Sequence, residues 1–323
     1  MIEKELPFDG LIWDAHSGIK FDDGREPPYL QRYIDAGVTV LTLNVGSDVS
    51  PWSECVKNLA NFRAAVAARQ NQCVIVHSEK EIRQAKADGK LGIVFDIEGM
   101  NSLDGSIDML DVYYELGVRQ MTLTYNKNNG AASGCHDSDQ KLTDFGRDIV
   151  RRMNRVGMVI DCSHVSCRSS LDAMEISEDP VVFSHSNCRG ICEHERNLFD
   201  EQIVTCAAKG GVTGVTGIGV FLGAVKPSIK AMLEHIDYKV ELVGAEHVGI
   251  GLDYFPDTVG LSESWDTKYW PPSQYPDGAN LGFMDPEAFP QIADALSGRG
   301  YSDQDIRGIM GENFLRVAAS VWK

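Results

Sequence analysis

Two short apolar runs in this chain end in the same pair of residues. Met158-Val159-Ile160-Asp161-Cys162 leads into Ser163-His164, and Pro180-Val181-Val182-Phe183 leads into Ser184-His185. β-Branched runs of this length, flanked by Gly157 and Pro180, read as buried parallel strands. The segment between them, Ser169 to Ser177, is apolar at Leu171, Met174 and Ile176 and reads as a helix. A strand–helix–strand unit of this kind releases both imidazoles at one end of a sheet. Neighbouring imidazoles at strand ends suit a divalent metal ion.

Other chemistry-bearing residues fall at the ends of similar runs. Reading the last residue or two of each gives His16, Glu98, Tyr125, His164, His185 and Asp253. His16, Glu98, His164 and His185 offer three imidazoles and one carboxylate, and Glu98 has two oxygens with which to bridge two ions. Metal ions so held generate a hydroxide at neutral pH and polarise a carbonyl. Asp253, after the last run, is placed to carry a proton from the attacking water to a leaving amine. Arg196 and Asn197 lie about ten residues past the His185 run. An arginine on a rim loop suits a bidentate clamp on a substrate carboxylate.

The elements that must position these residues repeat along the chain. Strand-like runs occur at Leu11–His16, Val38–Val45, Leu91–Glu98, Arg119–Tyr125, Met158–His164, Val181–His185, Gly211–Gly217 and Val248–Asp253. Helix-period segments, among them Trp52–Arg69, Ile107–Leu116, Asp144–Val156 and Ile229–Val243, lie between them. Eight such alternations predict a (β/α)8 TIM barrel, with its chemistry at the carboxyl ends of the strands. No Gly-rich dinucleotide fingerprint follows any strand, which argues against an open Rossmann sheet. No linker divides residues 1–323, so one domain is expected. The aromatic and proline-rich stretch 255–285 is expected to form a long loop over the carboxyl face, and Asp303–Val321 a closing helix. His136 falls in a polar loop near the site, while His194, His235 and His247 read as solvated or supporting residues.

Composition narrows the class further. With 30 Lys and Arg against 47 Asp and Glu, the 323-residue chain carries a formal charge of −17. So acidic a surface opposes nucleic acid and anionic membranes. No apolar run approaches the roughly 20 residues of a membrane span. Met1-Ile2-Glu3-Lys4-Glu5 lacks a signal-peptide pattern, so a cytoplasmic location is expected. Eight cysteines without a Cys-x-x-Cys pair are too dilute for a disulfide framework or a zinc knuckle.

These residues resemble a known family. Leu91-Gly92-Ile93 to Glu98-Gly99, Thr122-Leu123-Thr124-Tyr125-Asn126, Asp161-Cys162-Ser163-His164-Val165-Ser166, Ser184-His185-Ser186-Asn187 with His194-Glu195-Arg196-Asn197, Gly249-Ile250-Gly251-Leu252-Asp253 and Gly311-Glu312-Asn313-Phe314-Leu315-Arg316 follow the order of the renal (membrane) dipeptidase family. The resemblance implies a zinc-dependent (β/α)8 TIM barrel of the metal-dependent amidohydrolase-like kind that hydrolyses dipeptides. It implies His16 on a first metal, Glu98 bridging, His164 and His185 on a second, Arg196 with Asn197 at the substrate carboxylate, and Asp253 in proton transfer. A homodimer is common for such barrels.

Two positions depart from the family pattern. The first-strand motif His-x-Asp of the family reads His16-Ser17-Gly18 here, which removes an anionic ligand and weakens the first metal position. Tyr125 stands where better-studied members carry a histidine; a phenol still donates one hydrogen bond to a developing oxyanion. The chain is thus expected to be a metal-dependent dipeptidase. The alternatives are a single-metal hydrolase of another small or cyclic amide, and an impaired relative that binds a small carboxylate.

Overall fold

The computed structural model describes residues 8–18, 29–224, 226–256, 261–262 and 265–323. Its strands are β1 (Trp13–Ser17), β2 (Val40–Ser47), β3 (Cys73–Ile75), β4 (Leu91–Glu98), β5 (Val118–Thr122), β6 (Val159–Asp161), β7 (Val182–Phe183), β8 (Val212–Val215) and β9 (Val248–Ile250). Every pairing between them is parallel. The wall runs β1-β2-β4-β5-β6-β7-β8-β9, and just past β9 the chain returns to β1. There the Asp253 amide donates to the His16 carbonyl (3.1 Å) and the Gly18 amide to the Tyr254 carbonyl (3.2 Å). The eight runs expected from sequence are these eight wall strands.

One strand was not foreseen. β3 pairs only with the first three residues of β4, Cys73 opposite Leu91 to Ile75 opposite Ile93, so β2 lies directly against β4 in the wall. Several ladders also stop earlier than the apolar runs suggest. Tyr125 lies three residues beyond β5, His164 three beyond β6, His185 two beyond β7 and Asp253 three beyond β9. The reason is local: the wall converges on polar groups at this rim, and the backbone leaves the ladder to aim side chains inward.

The connecting helices lie where their periodicity puts them and are capped by side chains. Thr143 accepts the Gly146 amide at the start of the helix Asp144–Val156, which buries Ile149, Val150 and Met153. Ser166 caps the helix Cys167–Ile176 in the same way, through the Ser169 amide. Such caps satisfy amides that the first turn leaves without partners. The expected single helix Asp303–Val321 is instead Asp303–Arg307, a wide turn Gly308–Glu312, and Asn313–Val321. Contact with β1 is the cause. A Cβ on Gly311 would lie 2.9 Å from both the Leu11 carbonyl oxygen and the Trp13 nitrogen, so the turn opens around a bare backbone. Asn313 then donates to the Ala245 and Val248 carbonyls and ties this turn to the start of β9.

Candidate metal centre and active site

His16 is the fourth residue of β1, and Glu98 is the last of β4. Asp96 precedes Glu98 by two residues, so both carboxylates share the inward face of β4. His164, His185 and Asp253 reach the same place from the loops after β6, β7 and β9. His164 and Asp253 do so with left-handed backbones, φ 64° and 56°. That conformation is unusual for non-glycine residues and is held only where the surroundings over-determine it.

The side chains converge on Glu98. Its Oε1 lies 3.0 Å from His164 Nε2, 3.5 Å from His185 Nε2 and 3.5 Å from His16 Nε2. His164 Nε2 and His185 Nε2 are 2.9 Å apart, and the His16 and His185 rings stack at 4.0 Å. Asp253 borders the group, its Oδ1 3.6 Å from His16 Nε2 and its Oδ2 4.0 Å from His185 Nε2.

Each imidazole has its other nitrogen engaged by an acceptor, which fixes where its proton sits. His16 Nδ1 is 2.7 Å from Asp96 Oδ2. His164 Nδ1 is 2.7 Å from Asn126 Oδ1, whose amide is oriented by donating its NH2 to the Tyr269 carbonyl at 3.1 Å. His185 Nδ1 is 2.7 Å from Ser184 Oγ, and that hydroxyl in turn gives its proton to Asp161. All three rings therefore keep a proton on Nδ1, and three Nε2 atoms converge on one buried carboxyl group. Glu98 Oε1 is buried and receives no hydrogen bond. Neutral His164 and His185 bring Nε2 lone pairs to this point, with Arg196 Nη2 3.1 Å from that of His164, and a divalent cation here would find a ligand atom in each imidazole and in Glu98. The residues present fit a metal ion. His16, Glu98 and His185 each offer one atom within 4.8 Å of the others, and His164 meets Glu98 and His185 more closely still.

The electrostatics agree. Burial pushes His164 and His185 well below the ordinary imidazole value, with Arg196 adding to both, so they are neutral and able to ligate. Burial would also lower His16, but Asp96, Glu98 and Asp253 outweigh it and hold this imidazole well above its usual value. The pull those carboxylates exert on a proton is the pull they exert on any cation. Burial raises the Glu98 carboxyl to about 8, His16 drawing it back and Asp253 pushing it further.

His16, Glu98, Tyr125, His164, Arg196 and Asp253 line one cavity open to solvent. Arg196 is 3% exposed, and its Nη2 lies 3.1 Å from His164 Nε2 and 3.3 Å from the His185 carbonyl oxygen. Among the described residues no carboxylate comes within ion-pair distance of it. A buried guanidinium without a counter-ion on a cavity wall is placed for an anionic ligand. Tyr125 stacks on His164, ring centroids 4.4 Å apart, and meets Trp270 edge-on at 5.8 Å. Asn197 does not join them. It lines a neighbouring cavity that Arg196 and His164 also border, and its amide nitrogen is spent on the Cys192 and Phe221 carbonyls, both at 2.9 Å. Arg196 thus enters the site while the Asn197 amide braces the loop that carries it.

The far wall comes from the stretch after β9. Leu261, Trp270, Tyr275, Leu281 and Phe283 line the cavity; residues 257–260 and 263–264 of the expected loop 255–285 lie outside the described residues. Gly18 lines the cavity too. A Cβ there would lie 3.0 Å from the Phe255 ring and 3.9 Å from Asp253 Oδ1, so phenylalanine fills the space a side chain at 18 would enter.

Several supporting residues escaped the sequence reading. Asp96, Asp161, Ser184 and Asn126 set the proton positions of the histidines. Asp48, at the end of β2, accepts the Tyr125 amide (3.0 Å), the Asn101 amide (2.8 Å) and the Asn129 side chain (2.8 Å), and so pins the loop that carries Tyr125. Period-two spacing alone flags Asp96. The others depend on contacts between distant loops. His235, read as solvated or supporting, is fully buried and accepts the Cys188 amide at 3.1 Å.

The family described as Membrane dipeptidase (Peptidase family M19) matches residues 53–323, a segment that β1 and His16 precede. Dipeptidase verJ of Clonostachys rogersoniana is 33% identical over 250 residues, covering 76% of this chain and 60% of that protein. An uncharacterized dipeptidase of Schizosaccharomyces pombe is 30% identical over 312 residues, covering 94% of this chain and 67% of that one. The chain thus matches about two thirds or less of the length of these curated relatives. The solved structure of an amidohydrolase from Pseudomonas aeruginosa superposes with a TM-score of 0.88 at 28% identity, over 98% of each chain. With five-sixths of its length matched and the histidine–glutamate cluster at the rim of its barrel, the chain belongs to the membrane dipeptidase family.

Proposed function

We propose that this protein hydrolyses the amide bond of dipeptides with a divalent cation held by His16, Glu98, His164 and His185. One observation carries the reading: three imidazole Nε2 atoms converge on a buried carboxyl oxygen that receives no hydrogen bond, in a cavity that also presents a guanidinium with no carboxylate partner among the described residues. When bound, such an ion polarises the scissile carbonyl and makes water a nucleophile at neutral pH. Imidazole and carboxylate donors of this kind suit Zn2+.

The chain's own residues supply the rest. Arg196 receives the substrate carboxylate and so fixes which amide lies over the cluster. Hydrolysis adds one water: its oxygen bonds to the carbonyl carbon, and the C–N bond breaks. Asp253 takes the proton the water gives up and returns it to the departing nitrogen. The Tyr125 hydroxyl, which has no protein partner among the described residues, donates to the carbonyl oxygen as charge develops there. In this reading residues 1–323 act as one barrel domain, and the stretch 255–285 roofs the cavity.

Phe255 against Gly18 supports a single tightly held ion, since no anionic side chain can enter from that position. Two firmly bound ions per chain would count against this part of the reading. The activity itself is tested by incubating the purified protein with a panel of dipeptides. Amino acids are expected to be released, release to stop on removal of metal by a chelator, and zinc to restore it. A zinc-loaded protein that cleaves no member of the panel refutes the proposal.

A further inference from the structure

Behind the cavity wall lies a hydrogen-bonded chain that the mechanism above does not use. Glu195 Oε2 is 2.8 Å from His136 Nδ1, and His136 Nε2 is 2.8 Å from the Tyr275 hydroxyl. The three residues come from different loops, after β7, β5 and β9. The His136 side chain is completely covered, so this residue of the polar loop cannot itself reach a ligand. Its backbone is held too, for its amide donates to the Asn126 carbonyl (2.8 Å) and its carbonyl accepts from Lys127 Nζ (2.8 Å). Only Tyr275 reaches the cavity, together with Arg196 and Asp253.

The direction of these bonds follows from the donors. A carboxylate oxygen only accepts, so the His136 proton lies on Nδ1. Burial, with Arg196 adding to it, pushes this imidazole down to about 2, so the ring is neutral and carries one proton only. Nε2 is therefore bare, and the Tyr275 hydroxyl donates to it. A phenol has one proton. With that proton committed to His136, the Tyr275 hydroxyl has only lone pairs to offer a ligand in the cavity this residue lines, unlike Tyr125.

We propose that Tyr275 is a catalytic residue of this site: its hydroxyl oxygen accepts the N–H of the scissile amide, while His136 and Glu195 are positioning residues that turn its proton away from the substrate. The inference rests on the dipeptide reading given above. In a dipeptide the scissile nitrogen is attached to the carbon that bears the free carboxylate. With that carboxylate on Arg196, the nitrogen is set in the cavity that Asp253 and Tyr275 also line, and the Tyr275 hydroxyl lies near enough to feel the charges of both Arg196 and Asp253. A buried amide N–H without an acceptor is costly, and no other neutral acceptor has been assigned to it. Held by Tyr275, the nitrogen keeps its own hydrogen, and its developing lone pair is turned toward Asp253. It then gains one proton from Asp253 as the C–N bond breaks, and no proton passes through Tyr275.

The test compares alanyl-alanine with alanyl-lactate, the matched ester in which oxygen replaces the scissile N–H. For Tyr275→Phe, kcat/KM on the amide is expected to fall roughly tenfold and that on the ester to change less than twofold. Glu195→Gln, which unlocks the His136 proton position, is expected to shift the two substrates in the same unequal way. Retained ester cleavage shows that each variant is folded. An equal fall on both substrates would mean a merely structural role and overturn the proposal, as would no fall on either. If the unmodified enzyme cleaves the ester but not the amide, the dipeptide reading itself fails and this inference fails with it.

Discussion

Asp253→Asn is expected to lower kcat on dipeptides by about 10²–10⁴-fold, the range that one positioned acid–base group supplies. The substitution is nearly isosteric, and asparagine tolerates the left-handed backbone that Asp253 adopts at φ 56°. The amide cannot accept the proton given up by water, nor return it to the nitrogen. Burial raises the Asp253 carboxyl above its ordinary value, with His16 and Arg196 drawing it back, so this carboxyl can both take and give a proton. Steady-state kinetics beside metal analysis of the same sample decide the matter. Unchanged turnover would remove Asp253 from the mechanism. Loss of metal together with turnover would assign it to ion binding instead.

Arg196→Met is expected to be nearly as damaging, and selectively so. Removing one partner of a buried charge pair costs about 2–5 kcal/mol, or roughly 30- to 5000-fold in kcat/KM. Methionine keeps much of the volume against Phe221, over which the guanidinium lies 5.3 Å from the ring centroid, and leaves no charge buried without a partner. Dipeptides with a free carboxylate should lose this factor, while their C-terminal amides, which offer Arg196 no charge, should change little. Equal losses on both would show that Arg196 serves the fold, or steadies His164, rather than the substrate. Lysine is not an adequate replacement, because it lacks the planar fork that meets a carboxylate with two parallel bonds.

The barrel and most of its rim could be read before any coordinates. Each wall strand is an apolar run, since a parallel strand covered on both faces needs little alternation. Such runs also mark where the chemistry begins, because a polar residue at the end of one has nowhere to go except the mouth. His16, Glu98, His164, His185 and Asp253 were legible for this reason. β3 was not, for its three residues lie outside the wall and pair with β4 alone, at the start of that strand. The turn at Gly311 depends on the backbone of β1, some 300 residues away in sequence. Asn197 looked like a partner of Arg196 because they are adjacent, yet its amide is taken up by the Cys192 and Phe221 carbonyls. Asp161 with Ser184, Asn126 with His164, and Glu195 with His136 and Tyr275 are pairings between loops, and spacing along one chain carries no trace of them.

Ion retention is the most direct test of the cluster at the mouth. The protein is stripped by chelation, reloaded with excess Zn2+, dialysed and analysed for metal per chain, alongside Glu98→Gln and His185→Ala variants checked for folding by circular dichroism. The expected result is one firmly held ion in the unmodified chain and little or none in either folded variant. A chain that retains no ion after reloading, or folded variants that hold it as firmly as the original, would contradict the assignment of these residues as its ligands.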